Sequence, residues 1–408
     1  MKERGRLAPS KRSAPPVSEA RGPRTVRRAA SARNPAGARL IALAFEPGML
    51  NGLGVSSQAT RPTLPAGDPL GTHRVLDPPG AMPQPAERLD ADASRHFETE
   101  IVVDVQTLNI DAASFRQMEE ASGGSPDGVA QLVLETVARR GKQHNPVTGS
   151  GGMLLGVVRR VGSLAEHRGV AVDDRVATLA SLSLTPLSLR RIIAVRPASA
   201  QIDVEGTAIL FGSAPLARMP TDMPERLALA LLDVAGAAPQ VARLAGPRDS
   251  VVVLGAGGKS GLLCAAEARR CVGRAGRVIG IEASPGLAAD LRSLAICDHV
   301  AVLDARDPLA VRDAVLPFTG DAGADLTLSC VNVPGVELSA IVATRDRGKT
   351  YFFAMSTSFT AAALGAEGIG KDVDLYIGNG YAHGHAEHTL ALVREHPALE
   401  RLMTSRYG

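Results

Sequence analysis

Residues 249–263 constrain the fold of this chain more than any other stretch. They read Asp-Ser-Val-Val-Val-Leu-Gly-Ala-Gly-Gly-Lys-Ser-Gly-Leu-Leu. Val251, Val252, Val253 and Leu254 predict a buried strand, the glycines a tight turn, and the Leu-Leu-Cys-Ala-Ala run that follows a helix. Strand, glycine turn and helix in that order suit a dinucleotide. Gly255 permits the turn and Gly257 lets the backbone approach a pyrophosphate. The helix N-terminus supplies free N–H groups and the positive end of a dipole. Residues 277–281 predict a second strand, closed by Glu282, 27 positions beyond Gly255. A carboxylate there can bind both ribose hydroxyls of NAD and repels the 2′-phosphate of NADP. The expected cofactor is therefore NAD. Gly255, Gly257, Gly258, Lys259, Ser260 and Glu282 are the binding residues, joined by Cys330 and Asn332 from the turn at 330–334.

Two competing readings exist. Gly258-Lys259-Ser260 looks like the end of a P-loop, but that pattern needs a glycine where Val253 stands. A glycine-rich turn without any ligand is the other. The motif also departs from its usual form, with Ser260 at the third-glycine position and Gly261 one residue late.

Beyond residue 224 the pattern alternates. Residues 224–244 predict one helix. Strands are then expected near 250–254, 277–281, 299–303, 325–330, 348–353 and 372–377, separated by helical segments. Six strands in that alternation make a doubly wound parallel sheet of the Rossmann type, with ligands at the carboxyl ends of the strands. Before residue 224 the segments are shorter and richer in Gly and Pro. Strands are expected at 71–76, 100–109, 154–161, 175–179, 187–195 and 207–211, with helices at 112–120 and 126–140. The fold class is α/β: a β-rich domain over 66–223 and a Rossmann domain over 224–408.

Charge separates a third region. The net +3 of the 408 residues hides eleven Lys/Arg against Glu3 and Glu19 in residues 1–40, a net of +9 that leaves −6 elsewhere. Residues 1–65, rich in Arg, Ala, Pro and Ser, read as a disordered basic tail. An organellar transit segment, a nucleic-acid-binding arm and a true start at Met49 are alternatives. No run of 18 apolar residues occurs, so no membrane span is expected. Trp is absent and aromatics are 3%, which leaves no stacking platform for nucleic acid. Cys264, Cys271, Cys297 and Cys330 form no C-x-x-C pair and read as small buried side chains in a reducing, cytoplasmic setting. His383, His385 and His388 read as a solvated helix face, so no metal site is expected.

Three segments resemble the medium-chain dehydrogenase/reductase superfamily: 103–111 (Val-Asp-Val-Gln-Thr-Leu-Asn-Ile-Asp), 145–158 (Asn-Pro-Val-Thr-Gly-Ser-Gly-Gly-Met-Leu-Leu-Gly-Val-Val) and 173–176 (Asp-Asp-Arg-Val). That resemblance implies a GroES-like first domain. Ser150 stands where zinc-dependent members carry a histidine ligand, and no cysteine precedes Cys264. Segments 69–75, 104–115, 141–148, 232–237, 257–261, 330–334 and 358–370 more closely resemble the L-erythro-3,5-diaminohexanoate dehydrogenases. This implies NAD-dependent oxidative deamination of a small diamino acid in lysine fermentation, by a homodimer. A zinc-free quinone or enone reductase and a non-catalytic NAD-binding protein are the alternatives.

Amine oxidation needs a base. Asp233, after four apolar residues, is expected to be partly buried with a raised pKa and to serve as that base. Asp111 and His144 are alternatives, although Asp111 equally suits a helix cap. Glu119 is a further one. Asn109, Thr148 and Ser150 are expected to orient substrate, and Arg116 or Lys142 to bind its carboxylate.

Overall fold

The computed structural model describes residues 66–146, 149–378 and 380–408. The chain divides into the units Met1–Arg61 and Pro62–Gly408, and the elements below lie in the second. The expected tail, residues 1–65, falls outside the described residues, as does Thr148.

The first half opens with a small antiparallel ribbon, β1 (Val75–Asp77) on β2 (Arg88–Leu89). The strand expected at 71–76 begins instead as a 3-10 turn, Thr72–Arg74, after Gly71 at φ 82°. The turn sends Arg74 inward. Its guanidinium meets the buried Glu100 through two hydrogen bonds of 2.8 Å, an ion pair that desolvation permits only with such partners.

Next come β3 (Glu100–Asn109), α1 (Ala112–Ala121), α2 (Pro126–Arg140), β4 (Met153–Val161), β5 (Arg175–Thr178), β6 (Leu187–Arg196), β7 (Gln201–Phe211) and β8 (Leu216–Arg218). The six strands β3–β8 form an antiparallel sheet in the order β6-β7-β3-β4-β5-β8. Helix α2 shows why the expected bounds hold. Ser125 caps its start by accepting the Gly128 N–H, Pro126 opens it, and Gly141 ends it in the left-handed region at φ 63°. Its Val129, Val133 and Val137, one turn apart, bury against the strands together with Phe115 and Met118 of α1.

The second half runs α3 (Glu225–Leu232), α4 (Ala237–Leu244), β9 (Ser250–Leu254), α5 (Lys259–Val272), β10 (Arg277–Glu282), α6 (Pro285–Ser293), β11 (His299–Val302), α7 (Pro308–Val315), β12 (Ala324–Ser329), α8 (Glu337–Ala343), β13 (Thr344–Phe352), α9 (Phe359–Gly368), β14 (Asp374–Ile377), α10 (His385–Arg394) and α11 (Pro397–Tyr407). All its strands are parallel, in the order β11-β10-β9-β12-β13-β14. This is the doubly wound sheet with β9 next to the point where strand order reverses. Successive residues of β9 serve opposite faces. Val251 and Val253 pack in one core, Val252 and Leu254 in the other. A central parallel strand therefore has no polar face.

One expected element is corrected. Residues 224–244 form two helices, α3 and α4, bent by 46°. Pro239 has no N–H for the carbonyl of Ala235, and the Thr389 hydroxyl donates to that carbonyl at 2.7 Å instead. Gly236 stands where a Cβ would come within 2.2 Å of the Gly380 carbonyl. The break thus lets the segment after β14 close on the helix pair. Both helices are apolar because Leu227, Leu231, Val241 and Leu244 join a core that also takes Met153, Leu155 and Met219 from the first half. Among the described residues no single helix is long and apolar enough to cross a membrane.

Candidate active site

The glycine loop follows β9. Gly255 turns at φ 73°, and the N–H groups of Gly255 and Ala256 donate to the Ile281 carbonyl at 2.8 and 3.1 Å, tying the turn to β10. A Cβ on Gly257 would lie 2.7 Å from Leu287 Cβ and 2.9 Å from Glu282 Oε2. Only glycine fits that cradle. The Gly257 N–H donates to Glu282 Oε2 at 2.9 Å, and the Ser284 N–H donates to Oε1 at 3.0 Å. Glu282 is 7% exposed. Its carboxylate is held at the rim of the loop with one oxygen on each backbone donor, leaving further lone pairs for a ligand's hydroxyls.

Gly258 is the N-cap of α5 and contributes no side-chain cap. The first-turn N–H groups of Lys259, Ser260 and Gly261 therefore have no acceptor within the helix and favour an anion. The late glycine also finds its role. A Cβ on Gly261 would fall 2.0 Å from the Gly255 carbonyl oxygen and 2.8 Å from Ala256 Cα. Gly261, which the spacing reading left out of the binding set, is thus the residue that lets helix and turn touch, and Ser260 is not. The P-loop reading fails on the same geometry, since Val253 is an interior strand residue paired in register with Gly280 and Leu328. The loop, its carboxylate and the bare helix end fit a dinucleotide.

Asp233 departs from expectation. It was expected to be partly buried, but it caps the C-terminus of α3 where the chain turns outward, and its side chain is 32% exposed. Its carboxylate pairs with the Lys259 ammonium at the start of α5. Lys259 is therefore spoken for by Asp233. The pair sets a carboxylate and an ammonium beside the glycine loop.

The first-half candidates each have their own contacts. Asp111 caps α1, with Oδ1 accepting the Ser114 N–H at 2.9 Å, while its Oδ2 is buried without a partner. Asn145 ties the following loop to the same helix, donating to Gln117 Oε1 at 2.9 Å, and its N–H donates to the Ser150 carbonyl. Asn109 Oδ1 accepts from Gln201 at 3.2 Å. Arg116 is exposed. Burial, then the nearby Lys142 and Arg140, push the His144 imidazole below its ordinary range, and its Nδ1 is buried without a partner. Lys142 is corrected as a substrate ligand. It is fully buried, and its ammonium donates to the carbonyls of Pro83 and Gln84 at 2.8 and 2.9 Å.

The turn after β12 borders the glycine loop, and the turn after β13 borders that turn. Cys330 is corrected in part. Its thiol lies inward, 3.6 Å from the Cys264 thiol, so only its backbone borders Gly255. Asn332 is exposed. Ser356 Oγ donates to the Val331 carbonyl at 3.3 Å, and the buried Glu337 accepts the Ser358 N–H at 2.7 Å. Sequence reading missed Glu337. A lone acidic residue at a helix start carries no signal of what it will hold.

Among the described residues no group of three or more His, Cys, Asp or Glu is arranged to hold a metal ion. The histidine trio is not a solvated face. His385 is buried, which lowers its pKa, and His388 lies 3.2 Å from the buried Glu267. His383 is exposed, with its Nδ1 3.4 Å from the Tyr381 hydroxyl, and the Tyr381 ring also packs edge-on against His385.

Residues 73–220 match the L-erythro-3,5-diaminohexanoate dehydrogenase N-terminal domain. The chain is 49% identical over 326 residues to the L-erythro-3,5-diaminohexanoate dehydrogenase of Acetoanaerobium sticklandii, covering 80% of this chain and 94% of that protein. It is 46% identical over 338 residues to the enzyme of the same name from Fusobacterium nucleatum, covering 83% and 98%. A solved CurK enoyl reductase aligns at 17% identity and a TM-score of 0.46, covering 75% of this chain and 78% of that one. By identity and coverage with its two curated relatives, the chain belongs to the L-erythro-3,5-diaminohexanoate dehydrogenase family, a family of dehydrogenase enzymes.

Proposed function

We propose that the protein oxidatively deaminates L-erythro-3,5-diaminohexanoate with NAD, giving 5-amino-3-oxohexanoate and ammonium, as a step of lysine fermentation. The name of the 49%-identical relative supports the substrate. The observation that carries the cofactor choice is the Glu282 carboxylate, buried beside Gly257 at the rim of the loop. A fixed negative charge there disfavours a 2′-phosphate and accepts ribose hydroxyls.

In this reading NAD, when bound, would supply the acceptor for the hydride on C3. The chain's residues do the rest. The loop N–H groups and the α5 N-terminus hold the diphosphate, and Glu282 holds the ribose. Asp233, turned outward beside the loop, takes a proton from the C3 ammonium, and Lys259 orients its carboxylate. The freed nitrogen lone pair forms the C=N bond as hydride departs. The base passes its proton to solvent; water then adds to that carbon and gives a proton to the base, which returns it to the nitrogen, and the C–N bond breaks as the hydroxyl proton leaves with the departing ammonia as ammonium. One substrate, one NAD and one water give one ketone, one NADH, one ammonium and one proton. The nitrogen lone pair supplies the push that an alcohol obtains only after deprotonation, so the reaction proceeds without a metal.

The test pairs two assays: NADH formation from NAD with the diamino acid, and NADPH oxidation with a quinone. Activity in the first, surviving prolonged chelation, supports the proposal. Silence there with turnover in the second overturns it in favour of a reductase. Losing a positioned base costs about 10²–10⁴-fold in rate, so Asp233→Asn should lower kcat by that order while NADH binding holds. Near-normal kcat in that variant would move the base to Asp111 or His144.

A further inference from the structure

The last turn of the chain reaches the dinucleotide loop. Arg406 lies on α11, 149 positions from Gly257, yet its Nη1 donates to the Gly257 carbonyl at 2.7 Å. Its Nη2 donates to Asp290 Oδ2 on α6 at 2.6 Å. The Arg406 side chain is 15% exposed and Gly257 is buried, so the carbonyl contact is largely shielded from water, whereas Asp290 is 47% exposed. Gly257 is thereby held at both ends, its N–H by Glu282 and its C=O by Arg406.

The consequence concerns one peptide unit. The peptide unit between Gly257 and Gly258 has glycine on both sides, so it turns about the flanking dihedrals with little steric resistance. The unit is planar, so fixing the Gly257 oxygen also fixes the Gly258 N–H, which closes the turn on the Gly255 carbonyl at 3.2 Å. Rotated the other way, the Gly257 oxygen would present negative charge toward the α5 N-terminus, where a diphosphate belongs. Two of the five N–H donors of the Arg406 guanidinium go to the Gly257 carbonyl and the Asp290 carboxylate, which suits it to hold the loop.

We propose that Arg406 is a positioning residue for the cofactor: it clamps the Gly257–Gly258 peptide in the orientation that admits the diphosphate, so affinity for the dinucleotide depends on the final turn of α11. The inference rests on the reading that this loop binds a nicotinamide dinucleotide. Its test is direct binding of NADH, followed by fluorescence, on the full chain and on Arg406→Gln, Arg406→Lys and Asp290→Asn. Losing a charged donor to a shielded carbonyl should raise the Kd of Arg406→Gln about tenfold. Arg406→Lys keeps a charged donor for one partner and should recover part of the loss. Asp290→Asn leaves the Gly257 contact in place and should cost less than Arg406→Gln. Steady-state assays should show KM for the dinucleotide rising while kcat at saturation holds. A merely structural arginine would lower kcat and thermal midpoint together and give no such split. Wild-type Kd in folded Arg406→Gln, or affinity lost only in step with unfolding, would overturn the proposal. Failure of the wild type to bind NADH would overturn the dinucleotide reading, and the inference with it.

Discussion

Replacing Glu282 with alanine should do more than alter cofactor preference. In the native loop the carboxylate accepts two backbone N–H groups, from Gly257 at 2.9 Å and Ser284 at 3.0 Å, in a pocket where it is 7% exposed. Deleting it leaves both donors without their partner, and a buried unpaired donor costs about 1–3 kcal/mol. Water entering the space left by the side chain would recover some of that, so a loss of about 2–4 kcal/mol in stability is expected. Affinity should fall as well, since about 1.4 kcal/mol of lost contact energy is tenfold in Kd. Glu282→Ala should therefore bind NADH at least tenfold more weakly and should not gain NADPH, because the loop that must hold either diphosphate has lost its own support. Glu282→Gln keeps one carbonyl oxygen for one N–H but turns an amide NH2 group toward the other. It should fall between wild type and alanine. Urea denaturation and fluorescence titration with NADH and NADPH measure the two effects separately. Wild-type stability and wild-type NADH affinity in Glu282→Ala would refute the argument that this carboxylate supports the loop. Equal use of NADP and NAD by the wild type would refute its role in excluding the 2′-phosphate.

Gly261→Ala should disrupt the helix–turn contact, because its Cβ would sit 2.0 Å from a backbone oxygen that no rotamer change can move. Overpacking of that kind costs about 1–3 kcal/mol or more. A lower urea midpoint and weaker NADH binding, with Ser260→Ala near wild type, is the expected pair, and equal behaviour of the two would return the packing role to Ser260. Lys142 gives a pH signature. Burial, then the neighbouring Arg140, pushes its ammonium down from 10.5 to about 8. Between those values the unfolded chain holds a proton that the folded chain has shed, so this group's contribution to stability rises with pH across the window. The urea midpoint of wild type relative to Lys142→Met should shift toward wild type from below pH 8 to above pH 10. A pH-independent difference would contradict this.

Much of the fold was legible in the sequence because it is written in local periodicity and punctuation. Residues 100–109 and 126–140 form the expected strand and helix because the strand is rich in β-branched residues, with Ile101, Val103 and Val105 turned to the core, and the helix carries Ser125, Pro126 and Gly141 at its ends. The strand at 250–254, its glycine turn and Glu282 follow from residue types whose conformational demands are intrinsic. Other features depend on what approaches from a distance. The helix expected over 224–244 breaks because Thr389 serves the carbonyl that Pro239 cannot and because Gly380 presses on Gly236. Asp233 follows four apolar residues, yet the bend turns it out to meet Lys259. Spacing alone favoured Ser260, and only the 2.0 Å approach of the Gly255 oxygen shows that Gly261 carries the contact. The sequence by itself determined most of the strands and helices, and that one glycine turn suits a dinucleotide, because backbone propensity and burial period act over a few residues. Which charged side chain holds that turn was decided by tertiary structure alone. Glu282 and Arg406 meet at Gly257 from 25 and 149 positions away, and hydrogen-bond partners at such separations are set by how the layers pack.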